Sequence, residues 1–74
     1  MNYNAIIGKR IKQKRTELKM TQRDLAKAAR AALGAISMYE NAQVRPSINT
    51  MIRIADVLDV SIDWLCGREG YQRS

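Results

Sequence analysis

The stretch from Thr21 to Asn41, TQRDLAKAARAALGAISMYEN, constrains this chain most. It opens on a helix-start signal. Thr21 is a good N-cap, and Asp24, three residues on, puts a carboxylate where it can reach back to the cap. Met20 and Leu25 fall at the positions of a hydrophobic staple. Leu25, Ala28 and Ala29 form one apolar stripe at helical spacing, and Ile36 and Tyr39 form a second. Two short helices joined by a tight connection near Arg30–Ala31 would pack both stripes into one core.

That connection lacks the usual turn chemistry. A tight helix-to-helix turn favours glycine in the left-handed conformation, and here the residue is Arg30. The next helix would ordinarily begin on Ser, Thr, Asp or Asn, and here the residue is Ala32. The run KAARAAL favours uninterrupted helix, and the apolar spacing also suits one continuous helix. The expectation is the turn, with a fused helix as the alternative.

The remainder of the chain supplies three more helices. The first is expected over about Asn4 to Lys19, with Ile7, Ile11 and Leu18 on one face, Lys14 on the same face and Arg15 at its edge. Asn41–Pro46 is a loop in which Asn41 caps the preceding helix. Ser47 caps a fourth helix whose core face is Ile48, Met51, Ile52, Ala55 and Leu58. After a turn at Asp59–Val60, Ser61 caps a short fifth helix carrying Ile62, Trp64 and Leu65, which Gly67 ends. The fold class is all-α. Residues 1–67 form one domain, and residues 68–74 are a polar, flexible C-terminal tail. Seventy-four residues allow one small core.

Charge narrows the function. The net charge is +6, and residues 1–30 hold nine Lys/Arg against Glu17 and Asp24, a net of +7. That asymmetry makes one basic face suited to an anionic partner. Enzymatic chemistry has little to work with. The chain has no His and one Cys, Cys66, so a disulfide framework and a zinc finger within the chain are excluded. Cys66 is expected as a buried small hydrophobe, and the Asp59/Asp63 pair as a solvated patch. No cofactor, metal or small-molecule substrate is implied. No apolar run approaches the ~20 residues that span a bilayer. The composition fits a reducing cytosol.

Taken in order, IGKRIKQKR, MTQRDLAKAA, AISMYEN, RPS and LDVSIDWLCG resemble the helix-turn-helix domain of lambda-type phage repressors and Cro proteins, over roughly residues 6–67. The resemblance implies a five-helix repressor-like domain, with helices two and three as the helix-turn-helix and helix three in the major groove. It implies a transcriptional regulator in the bacterial cytosol that binds double-stranded DNA as a homodimer on a palindromic operator. Position by position, it implies base-facing roles for Gln22, Leu33, Gly34, Ser37 and Met38. It implies phosphate contacts for Arg10, Thr21, Asn41 and Arg45, and a structural ion pair between Arg15 and Glu40. Tyr39 and Trp64 match core aromatics.

The base-facing set departs from the family. None of Leu33, Gly34, Ser37 and Met38 makes bidentate hydrogen bonds to G or A, although Leu33 and Met38 suit thymine methyl groups. The loop residue after Asn41 is Ala42 where the family usually has Gly. Repressors of this kind often carry a C-terminal dimerisation domain, which 74 residues do not accommodate, so the expectation is a fragment or a small Cro-like regulator. The alternative function is a repressor-like protein-interaction module, of an antitoxin or partner-binding kind, with weak or nonspecific DNA binding.

Overall fold

Side-chain caps set where each helix of this chain begins, with one exception. In the computed structural model, which describes residues 2–68, the order is α1 (Tyr3–Glu17), α2 (Gln22–Ala28), α3 (Leu33–Glu40), α4 (Ile48–Leu58) and α5 (Ile62–Leu65). Asn2 accepts from Ala5 N–H, Ser47 from Thr50 N–H and Ser61 from Trp64 N–H. At α2 the capping box is complete. Asp24 N–H donates to Thr21 Oγ1 at 3.0 Å, and Thr21 N–H donates to Asp24 Oδ2 at 2.9 Å. That backbone hydrogen bond chiefly holds the Asp24 carboxyl below the ordinary carboxylate range.

The exception is α3. Its N-cap, Ala32, makes no side-chain cap bond. Just before it, Arg30 takes a left-handed conformation at φ 55°. The chain therefore turns between α2 and α3 rather than continuing as one helix. Packing overrides the helical propensity of KAARAAL, because the turn puts Leu25, Ala29 and Ile36 into one core with no exposure. The turn keeps two local penalties. Arg30→Gly is expected to raise stability by about 1 kcal/mol by relieving the left-handed strain. Ala32→Ser is expected to add ~0.5–2 kcal/mol by capping α3. Melting curves check both, and a lowered Tm for both variants would contradict this turn.

The core comprises Ile7, Ile11, Leu25, Ala26, Ala29, Ile36, Met51, Ile54, Ala55, Leu58 and Leu65, with Tyr39, Trp64 and Cys66 half-buried against it. Several expectations are corrected here. α1 ends at Glu17, because Leu18 is its C-cap and Lys19 turns left-handed at φ 59°. Leu18 is thereby exposed, and Arg15 rather than Lys14 is the buried cation. Ala28 is exposed and Ala26 buried, so α2 presents Leu25, Ala26 and Ala29. On α4, Ile48 is 61% exposed and Ile52 43%, while Ile54 is buried. The stripe Met51, Ile54, Ala55, Leu58 follows i, i+3, i+4, i+7; Ile48 lies in the first turn, beyond the core. Asn41 does cap α3, but Ala42 carries the left-handed step at φ 62°. The expected tail begins at Arg68; residues 69–74 lie outside the described residues.

Candidate nucleic-acid interface

α2 and α3 build one surface, held from behind by α1 and α4. Gly8 of α1 is the closest point of that support. A Cβ there would meet the backbone oxygen of Tyr39 and, at 2.9 Å, that of Glu40. Arg15, two helical turns further on, reaches the same end of α3. Its Nε donates to Glu40 Oε2 at 2.6 Å and its Nη2 to Glu40 Oε1 at 2.9 Å. The third arm, Nη1, donates to Met20 O at 2.8 Å and so fixes the approach to α2. The Glu40 hydrogen bond is the main reason the Arg15 guanidinium is held above its ordinary pKa. From α4, Arg53 Nε donates to Ala29 O at 2.8 Å, satisfying a carbonyl at the end of α2.

With Ile36 turned inward and Glu40 facing α1, helical geometry sends Gly34, Met38 and Asn41 to the opposite side of α3 and Ser37 to its edge, while Leu33, on the side of Ile36, is exposed as the first residue of the helix. Leu33 is 47% exposed and Met38 is exposed as well. A Cβ on Gly34 would meet nothing within 4 Å, so this face is open. Asn41 Nδ2 donates to Ser37 Oγ at 3.4 Å. Thr21 is exposed at the start of α2, and Gln22 donates through Nε2 to Glu40 Oε1 at 3.1 Å.

The structure treats the expected phosphate contacts unequally. Thr21 and Asn41 belong to the α2–α3 surface. Arg45 follows it in the α3–α4 loop, where Nε donates to Asn4 Oδ1 at 2.8 Å and the guanidinium lies over the Tyr3 ring. Arg10 is placed elsewhere. Its guanidinium stacks 4.7 Å from the Trp64 ring centroid and donates to Trp64 O at 2.9 Å, on the α5 side of α1. The reason is rotational. Arg10 is two residues beyond Gly8, about 200° around α1 from the line that meets α3. Lys12, Lys19, Arg23, Lys27 and Arg30 are exposed cations from the same basic half of the chain.

Three supporting contacts are not evident from sequence spacing: Gly8 against α3, Arg53 on Ala29, and Gln22 on Glu40. Only Gly8 carries a local signal, as an isolated glycine inside a helical pattern.

The family model described as helix-turn-helix matches residues 11–65. The chain is 34% identical over 62 residues to the cryptic phage CTXphi transcriptional repressor RstR of Vibrio cholerae, covering 84% of this chain and 55% of that protein. It is 36% identical over 62 residues to the HTH-type transcriptional regulator DicA of Escherichia coli, covering 84% of this chain and 46% of that one. The chain thus spans about half the length of these curated relatives. The crystal structure of the P22 c2 repressor in complex with a synthetic operator superposes with a TM-score of 0.81 at 28% identity, over 85% of this chain and 96% of that one. With most of its length matched by the family model and its five helices arranged as in a repressor, this chain belongs to the helix-turn-helix family.

Proposed function

We propose that residues 1–67 act as a sequence-specific DNA-binding transcriptional regulator of the phage or bacterial repressor type, in the bacterial cytosol, and not as an enzyme. α3 docks in the major groove through Leu33, Gly34, Ser37 and Met38, with Gln22 at the edge of the contact. Thr21, Asn41 and Arg45 meet phosphate, and a homodimer spans a palindromic operator. The observation that carries this reading is the open outer face of α3, continuous with the start of α2 and braced by the Arg15–Glu40 pair. The curated relatives, named as transcriptional regulators, support it.

The exposed Leu33 and Met38 favour a second reading, docking of a protein partner on the same face. Salt dependence separates the two. Neutralising four or so phosphates releases counterions, so affinity for duplex DNA is expected to fall on the order of a hundredfold between 50 and 200 mM salt. Fluorescence anisotropy on a labelled duplex measures this. A flat salt response, or no binding at 50 mM, would favour the protein partner.

A further inference from the structure

Glu40 does more than pair with Arg15. Its side chain is 3% exposed and accepts three hydrogen bonds, two from Arg15 and one from Gln22 Nε2. A carboxylate paired with a guanidinium can only accept. The Gln22 amide can therefore sit in one way only, with its NH2 group toward Glu40 and its carbonyl oxygen away. The flipped amide would set two acceptor oxygens against each other where little water screens them.

One N–H of Gln22 is thus committed. The carbonyl oxygen and the second N–H remain, an acceptor and a donor side by side. That pair complements the N6–H donor and N7 acceptor on the major-groove edge of adenine. A glutamine with no such tether presents either end. We propose that Glu40 is a positioning residue that holds Gln22 as an adenine reader at the edge of the α3 contact. The inference rests on the DNA-binding reading above. It also gives this surface hydrogen-bonded base readout that Leu33, Gly34 and Met38 do not supply.

The test uses the full chain and duplexes recovered from a random-sequence pool, with each half-site position changed in turn to the other three base pairs. Wild type is compared with Gln22→Ala and with the double variant Arg15→Met, Glu40→Met, which removes the carboxylate without stranding the guanidinium. Wild type is expected to prefer adenine at one position by about tenfold or more. Both variants are expected to flatten that position and leave the ranking at the others unchanged. A general loosening of the fold would lower affinity for all duplexes alike.

One further readout needs no variant. In amide NMR spectra of the free protein, one Gln22 side-chain proton is expected well downfield of those of the exposed Gln43. Gln22 protons coincident with those of Gln43 would overturn the proposal. So would an adenine preference that survives loss of Glu40, or the absence of any position that responds to Gln22→Ala; DNA binding itself would then stand. Failure of the wild type to bind any duplex would overturn the DNA-binding reading and this proposal together.

Discussion

Gly8→Ala is expected to destabilise the domain by about 3 kcal/mol, a large fraction of what a chain of this size holds in total. The added methyl has no free direction. It would meet the Tyr39 backbone oxygen, and the Glu40 oxygen at 2.9 Å. Both are main-chain atoms at the end of α3, so no side chain can swing aside. Relief requires α1 and α3 to part, which pulls Arg15 off Glu40 and opens the core around Ile7, Ile11 and Ile36. Helix propensity works the other way, since alanine inside a helix is better than glycine by about 1 kcal/mol, and the clash must exceed it. Gly34→Ala isolates that term, because its methyl enters open space. Thermal melting should show Tm falling by about 15 °C for Gly8→Ala and holding or rising for Gly34→Ala. A Tm for Gly8→Ala at or above wild type would show that α1 and α3 are not in this close contact.

Glu40→Gln is expected to cost about 2–4 kcal/mol. The substitution keeps size and shape but leaves the Arg15 guanidinium, 9% exposed as a residue, without its counter-charge. The bidentate geometry, at 2.6 and 2.9 Å, is what makes the loss larger than for a surface pair. The Lys14–Glu17 pair on the outer side of α1, 3.4 Å apart and partly exposed, provides the comparison. Its removal through Glu17→Gln should cost well under ~1 kcal/mol. Replacing both Arg15 and Glu40 by Met should recover most of the stability lost by Glu40→Gln, since the desolvation penalty disappears with the charges. Urea denaturation of the three variants gives these differences directly. A loss below ~1 kcal/mol for Glu40→Gln would make it an ordinary surface contact.

Local chemistry made much of this fold legible in the sequence. Thr21 with Asp24, Ser47 and Ser61 each cap the helix they were expected to start, because cap geometry depends on a few adjacent residues. Leu18, Ile48 and Ile52 are exposed despite their helical spacing because periodicity identifies an apolar face without showing how far the core extends along it. The turn at Arg30–Ala32, expected from packing the Leu25 and Ile36 stripes into one core, forms against the helical propensity of its own residues.

The surface was legible to a similar degree. α3 faces follow from helical spacing once Ile36 is known to be buried, so Gly34 and Met38 could be placed outward from sequence; Leu33, which shares the face of Ile36, is exposed by its place at the start of the helix. Arg10 shows the limit. Its charge suits phosphate, but its angular position on α1 turns it away from α3, and Trp64, fifty-four residues away, supplies its partner there. The Gln22–Glu40 bond is equally invisible, because it depends on the crossing of two helices rather than on either one.

The most direct test of the proposed DNA-contacting face is a backbone amide NMR titration of the chain with a short duplex at low salt. The largest shift changes are expected at residues 21–23, 33–38 and 41–45, the start of α2, the outer side of α3 and the loop that follows. Changes centred instead on the apolar groove between Tyr3, Ile48 and Ile62, or on Lys9, Gln13 and Gly67 at the α5 side of α1, would contradict this assignment of the face. No changes at all would contradict DNA binding itself.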